Sequence, residues 1–109
     1  MIVIEEYVDP RGASPFGKWF VALDAQAAAM VVARLTRLAE GNTSNLKALS
    51  EGVCELKIDR GPGYRIYFAW DGKTLVILLG GGTKKRQNAD IKTAIRHWHG
   101  YKEMKLRKV

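Results

Sequence analysis

The sequence contains one cysteine, three prolines and no long apolar run. One thiol can form neither an internal disulfide nor a cysteine-based zinc site, so we expect Cys54 to be a buried strand residue in a reducing compartment. The longest apolar run, residues 75–79, has the length of a strand, whereas a membrane-spanning helix needs about 20 residues. Residues 1–6 lack the basic and apolar regions of a signal peptide. These absences predict a cytoplasmic protein with no membrane association.

Acidic residues are scarce, and the deficit is uneven. The chain has 18 Lys and Arg against 11 Asp and Glu, a net charge of +7. Residues 1–54 hold 5 basic and 6 acidic residues, whereas residues 55–109 hold 13 basic and 5 acidic. Such asymmetry indicates a polyanionic partner, most simply nucleic acid, although basic residues that only keep the chain soluble explain it equally well at this point. The 109 residues, 47% hydrophobic, predict a single domain over residues 1–109.

Hydrophobic periodicity and helix-capping residues predict an α+β fold with the order β-α-α-β-β-β-α. Ser14-Pro15 and Asp24 are typical helix starts, and an apolar run with period two is typical of a strand. The predicted strands cover residues 2–7, 53–59, 64–70 and 74–79, and the helices cover a segment after Ser14, residues 25–40 and residues 87–99. Glycines 80–82 are expected to end the last strand. We expect the first two helices to form a hairpin packed on one face of a curved antiparallel sheet.

A sheet covered on one side leaves its other face open to solvent or to a ligand. The period of two places the polar side chains of the two middle strands on that open face, with the basic loop and the C-terminal helix nearby. These candidates are Glu55, Lys57, Asp59, Arg65, Tyr67, Lys84, Lys85, Arg86, His97, His99 and Tyr101. The alternative is an ordinary solvated face with surface salt bridges.

This set of residues suits metal-free cleavage of RNA. Attack by the RNA's own 2′-hydroxyl requires a base, neutralisation of the charge on the pentavalent phosphate, and protonation of the leaving 5′-oxygen. Arg65 and the basic loop 84–86 supply positive charge, and Arg offers a bidentate fork. Lys57, Glu55 or a histidine are candidates for proton transfer, and one of the tyrosines is a candidate for stacking a base.

Other chemistries fit poorly. His97 and His99 are two residues apart, which places them on different faces of a helix and argues against a shared metal. Glycines 80–82 followed by Lys84 lack the spacing of a nucleotide-binding phosphate loop. We therefore expect neither a metal nor a cofactor.

Several segments of the chain occur together in one known family. They are Glu55-Leu-Lys57, Gly61-Pro-Gly-Tyr-Arg-Ile-Tyr-Phe68, Leu78-Leu-Gly-Gly-Gly82 with Lys84 and Lys85, and Gln87 with Asp90-Ile-Lys and Ala94. This combination resembles the RelE/ParE superfamily of toxins from type II toxin–antitoxin systems, and within it the HigB-like "addiction module killer protein" branch. The resemblance covers nearly the whole chain, because Phe16-x-x-Trp19 and the long second helix also fit.

The resemblance implies a compact microbial RNase-like fold and a toxin function. Many members are ribosome-dependent mRNA interferases, endoribonucleases that cut mRNA in the ribosomal A site, inhibit translation and arrest growth. The implied partners are mRNA and the ribosome, together with a cognate antitoxin that is often a helix-turn-helix protein encoded next to the toxin. Operator DNA is expected to be bound only through the antitoxin complex.

The resemblance also assigns roles to individual residues. Lys57 matches a proton-transfer or phosphate-binding residue, Arg65 matches a residue that stabilises the transition state, and Lys84 or Lys85 matches the basic residue after the glycines. Candidates for the C-terminal base or stacking group are His97, His99 and Tyr101, and Glu55, Tyr67 and Arg86 are candidates for substrate binding. Two other functions stay open, since one fold supports several: a ParE-like inhibitor of DNA gyrase, and an inactive homologue that binds only antitoxin or nucleic acid.

Overall fold

The structure, a computed structural model, describes residues 1–107 as a five-stranded sheet between two helical layers. The sheet order is β1-β5-β4-β3-β2. In chain order the elements are β1 (Val3–Glu6), α1 (Pro15–Val21), α2 (Ala25–Ala39), β2 (Leu46–Ala48), β3 (Val53–Ile58), β4 (Tyr64–Asp71), β5 (Leu75–Thr83), a 3-10 turn (Lys84–Arg86) and α3 (Gln87–Arg107). The predicted α+β class is confirmed. None of the helices within residues 1–107 is long and apolar enough to cross a membrane.

The predicted helical hairpin is confirmed and covers one face of the sheet. Ser14 caps α1 by accepting a hydrogen bond from the backbone N–H of Gly17, and Asp24 caps α2 by accepting one from Ala27. These caps satisfy backbone donors that the first helical turn leaves free, which is why both helices begin where the sequence predicts. The core on this side contains Phe16, Val31, Leu38, Leu56, Ile58, Ile66, Phe68, Val76 and Leu78, with Trp19 and Phe20 packed against it.

The prediction of an open second face is wrong, because α3 packs on it. Its buried residues Ala94 and Trp98 lie in a second core with Tyr7, Val53, Tyr67, Ala69, Ile77 and Leu79. Ile91 and Ile95 lie on the same stripe of α3 and are partly buried against this core, so the apolar side of the helix is directed at the sheet. The signal for this cover is the continuous apolar run of β5, since a strand that is apolar on both sides is buried on both sides.

Further details also differ from the sequence predictions. Strand β1 pairs with β5 in parallel, so the sheet is mixed, while the other pairs are antiparallel. The short edge strand β2 was not predicted. Helix α3 continues to Arg107, through most of a basic tail that the sequence left unassigned; the last two residues of that tail lie outside the described part of the chain.

The glycines predicted to end β5 are instead part of the strand. A Cβ on Gly81 would lie 2.6 Å from Cζ3 of Trp19 and closer still to two other atoms of the ring. Glycine therefore lets the indole of α1 rest directly on the strand backbone, as is typical where an aromatic group approaches a sheet closely. The strand ends only after Thr83, where the basic 3-10 turn begins.

Candidate functional site

A buried ion pair joins the two middle strands at the end of the sheet where α3 begins. Glu55 on β3 is 3% exposed and Arg65 on β4 is 4% exposed. Nε of Arg65 lies 3.7 Å from Oε1 of Glu55, and Nη1 of Arg65 donates a hydrogen bond of 2.7 Å to the carbonyl oxygen of Gly63. The Nε donor has no hydrogen-bond partner among the described residues. Removing either partner would leave the other charge buried and unpaired. We therefore expect the loss of either residue to destabilise the fold strongly.

Gln87 and Asp90, both on α3, complete this cluster. Neither is among the site residues predicted from the sequence. Nε2 of Gln87 donates a hydrogen bond of 2.7 Å to Oε1 of Glu55. The Asp90 carboxylate occupies the space that a side chain at position 82 would fill, and its Oδ1 lies 4.0 Å from Nε of Arg86. Burial raises the pKa of Asp90. The available signal was Gly82, since a glycine inside a strand marks a close approach by another group.

Exposed cations border the buried pair. Lys57 faces Arg65 across the β3–β4 ladder, and its side chain is 49% exposed. The backbone N–H of Lys84 donates to the carbonyl oxygen of Gly63 at 2.9 Å, which places the turn 84–86 beside the Arg65 guanidinium. Lys57 lies 4.0 Å from Asp59, a solvent-exposed pair that holds it weakly. The structure therefore brings together Glu55, Lys57, Arg65, Lys84, Lys85 and Arg86, and we call this group with Gln87 and Asp90 the basic site.

The structure does not bring His99 or Tyr101 to the basic site. They follow Gln87 by more than three helical turns, about 18 Å or more along α3 at 1.5 Å per residue. Nε2 of His99 lies 3.1 Å from Oε1 of Glu51. The Tyr101 hydroxyl donates a hydrogen bond of 2.6 Å to Asp71, and the Tyr101 ring stacks on Trp98 at a centroid distance of 5.4 Å. As predicted, His97 and His99 occupy different faces of the helix, and Tyr101 is engaged within the fold.

His97 and Tyr67 line a small cleft next to the basic site. The cleft has a volume of about 90 Å³ between α3, β5 and the start of α1, and Asp90 and Thr93 also line it. Nδ1 of His97 lies 3.0 Å from the carbonyl oxygen of Leu79. Tyr67 is fully buried, its hydroxyl has no hydrogen-bond partner within residues 1–107, and burial raises its pKa. Because α3 covers the Tyr67 ring, that ring is not available to stack a base in this structure.

Comparison with known proteins agrees with this architecture. A protein of Haemophilus influenzae (strain ATCC 51907 / DSM 11121 / KW20 / Rd), described only as uncharacterized, is 44% identical over 80 residues, 72% of this chain and 81% of that protein.

Among solved structures, a mutant of E. coli toxin RelE in the free state gives a TM-score of 0.62 with 18% identity, covering 87% of this chain and 96% of that one. RelE in the intact E. coli RelBE toxin–antitoxin complex gives 0.58 with 17% identity, covering 76% and 96%.

The structural likeness confirms the predicted RelE-type fold, whereas the HigB-like branch stays a prediction. Residues 18–98, which contain the α1–α2 hairpin from Lys18 onward, strands β2–β5 and the first part of α3, match the family described as Phage derived protein Gp49-like (DUF891). This chain belongs to the Gp49-like family and has the fold of RelE.

Proposed function

We propose that this protein is the toxin of a toxin–antitoxin module and that it cleaves mRNA on the ribosome, in the cytoplasm. The observation that carries the proposal is the basic site, in which exposed cations surround a buried arginine on a RelE fold. RelE itself forms a complex with an antitoxin, which supports an antitoxin partner for this chain. The net charge of +7 favours association with a polyanion such as mRNA or ribosomal RNA.

The chemistry we propose is attack of the 2′-hydroxyl on the adjacent phosphorus, without a metal: the 2′-O–P bond forms, the bond from phosphorus to the 5′-oxygen breaks, and Lys57 supplies the proton to that leaving oxygen. The exposed groups Lys57 and Lys84–Arg86 contact the phosphate and neutralise the charge that develops on it. Arg65 acts from beneath them, because its Nη1 is bound to Gly63 and its side chain is almost completely buried. The Nε–Oε1 distance of 3.7 Å to Glu55 is too long for a hydrogen bond, so the Nε–H of Arg65 is a donor left unused among the described residues.

Proton transfer falls to groups that reach solvent beside the phosphate. Lys57 is exposed next to Arg65, and Asp90 lies on the opposite side, against Gly82. A carboxylate whose pKa is raised by burial is a better base than an ordinary aspartate, which suits Asp90 to accept the 2′-hydroxyl proton. In this proposal Glu55 transfers no proton, because Gln87 and Arg65 both contact its carboxylate.

The decisive experiment is to map mRNA 5′ ends after expression of the chain without an antitoxin. We expect growth arrest and new 5′ ends inside translated codons. The test variant is Lys84→Ala/Lys85→Ala, because both side chains are exposed and their removal leaves the core intact. Arg65→Ala is a poor test, since it would leave Glu55 buried without its partner and unfold the protein for reasons unrelated to catalysis.

The matched control is Lys18→Ala/Lys73→Ala, which removes the same charge from exposed positions outside the basic site. We expect cleavage to fall about 100-fold or more in the test variant and to stay within about twofold in the control, the scale of losing transition-state charge stabilisation. Growth arrest with intact mRNA and broken chromosomal DNA would overturn the proposal in favour of gyrase inhibition. Equal toxicity of both double variants would remove the basic site from the mechanism.

A further inference from the structure

A groove of about 660 Å³ lies on the side of the sheet opposite the basic site, between α2 and the turn that joins β3 to β4. One face of α2, from Gln26 to Arg37, forms one wall, and the turn with Tyr64 forms the other. That face spans eleven residue steps, about 17 Å at the rise of an α-helix. The proposed chemistry does not use this groove.

Three cations at the groove have no partner within the structure. The side chains of Arg34, Arg37 and Arg60 make no hydrogen bond or ion pair within residues 1–107. The two carboxylates in the same walls are engaged: Asp24 caps α2 by accepting from the N–H of Ala27 at 2.8 Å, and Asp59 lies 4.0 Å from Lys57. The three guanidinium groups outnumber the two carboxylates, so the groove keeps a net positive charge for a ligand to pair with.

Between the arginines, the floor of the groove is apolar. Met30 and Tyr64 are half-buried and pack against the core, and Ile58 is buried beneath them. Ala33 lies on the same helix face and is exposed. Methionine adapts its shape to a ligand, and small alanines leave room for the side chains of a partner. An apolar floor with cations along its rim is the complement of an amphipathic segment that carries carboxylates.

We propose that this groove binds an acidic, amphipathic helix of the antitoxin, about three turns long, with its carboxylates paired to Arg34, Arg37 and Arg60. The inference rests on the proposed function, because it names the partner of that toxin. An RNA ligand is disfavoured by the apolar floor of the groove, which offers no partner to a phosphate backbone.

The groove lies away from the basic site, so the affinity for the antitoxin and the inhibition of the toxin depend on different surfaces. It lies on the face of the sheet that contains the Ile58 and Tyr64 side chains, whereas Glu55 and Arg65 face α3. A helix bound there holds the antitoxin on the toxin without covering the basic site, and another part of the antitoxin must reach that site. Groove variants are therefore expected to keep full toxicity and to escape neutralisation.

The test measures binding of the protein encoded next to this gene, by titration calorimetry with the whole toxin chain. Two groove variants are compared with the wild type: Arg34→Glu/Arg37→Glu, which reverses the charge, and Ala33→Trp, which fills the groove without changing charge. The matched control is Arg11→Glu/Lys18→Glu, which changes the net charge equally at exposed positions outside the groove. Thermal unfolding confirms that each variant is folded.

We expect the dissociation constant to rise about 30-fold or more in both groove variants and to change less than about threefold in the control, as for charge pairs and anchors at a desolvated interface. Toxicity of the free variants should equal that of the wild type. Wild-type affinity in both groove variants would overturn the groove assignment and leave the toxin–antitoxin function standing. Loss of RNA cleavage in the charge-reversed variant, with antitoxin binding unchanged, would overturn it in favour of RNA. A wild-type chain that neither binds the neighbouring protein nor arrests growth would overturn both proposals.

Discussion

Gly81→Ala should destabilise the protein although it adds only one methyl group. The new Cβ would lie 2.6 Å from Cζ3 of Trp19 and closer to two other ring atoms, whereas ordinary contacts begin near 3.4 Å. The indole must move by about 1 Å, and it is held by Phe16 and Tyr64 at centroid distances of 5.8 and 6.4 Å. Overpacking of this kind costs about 1–3 kcal/mol, which exceeds the 0.5–1 kcal/mol that alanine gains over glycine in a strand.

The adjacent glycine is an internal control for this reasoning. A Cβ on Gly80 would meet no atom within 4 Å, so Gly80→Ala should leave the free energy of unfolding unchanged or raise it slightly. Urea and thermal denaturation measure both variants. For a chain of this length, a net loss of about 1 kcal/mol lowers the melting temperature by about 4 °C.

A double-mutant cycle assigns the cost to its cause. In a Trp19→Leu background the clash is gone, so Gly81→Ala should then leave the free energy of unfolding unchanged or raise it, by up to about 1 kcal/mol. Two results would refute the reasoning: equal melting temperatures for Gly80→Ala and Gly81→Ala, or the same cost of Gly81→Ala with and without the indole.

Further predictions concern the contact between the end of α3 and the β4–β5 turn. Asp71 accepts hydrogen bonds from Lys105 and Tyr101, so Asp71→Ala should cost about 1–3 kcal/mol in urea denaturation and increase hydrogen exchange at the end of α3; unchanged exchange there would contradict this contact. The hydrogen bonds from Lys105 and then Tyr101 lower the pKa of Asp71 from 3.8, so its contribution to stability is present above that pH and is lost as the pH falls below it; the difference in urea midpoint between the wild type and Asp71→Asn should shrink there. Burial, and then the hydrogen bond to Asp71, raise the pKa of Tyr101 to about 12. The free energy of unfolding should therefore fall between pH 10 and pH 12, and Tyr101→Phe should weaken this fall if the assignment is right.

Local signals predicted the helical hairpin and the three middle strands well. Ser14-Pro15 and Asp24 mark helix starts through bonds made within one turn, and β3 and β4 alternate because one ladder fixes which side chains share a face. The position of α3 on the second face of the sheet was harder to predict. The stripe containing Ala94 and Trp98 shows that the helix is buried on one side, but not which face of the sheet it covers.

The candidate site was predictable to the extent that it depends on strand pairing. Lys57 and Arg65 were placed together because they lie on consecutive antiparallel strands, and Lys84 follows the next strand. Gln87 and Asp90 enter the cluster through the approach of α3 to the sheet, for which Gly82 and the apolar run of β5 give a signal but not the identity of the approaching residues. The burial of Arg65 and Tyr67 has the same origin, since their strand face is polar enough to be interpreted as solvated until a helix is placed over it.

The parallel pairing of β1 with β5 fixes when the molecule can become complete during synthesis. Val3 pairs with Leu75, so the first strand made must wait for a partner 72 residues later in the chain. Closing so long a loop is slow compared with forming the helical hairpin, which needs only neighbouring residues. The turn 84–86 and α3 emerge later still. A nascent chain therefore holds the α1–α2 hairpin and an unpaired β1 before it has a basic site, and any activity of that site begins only after α3 has been made.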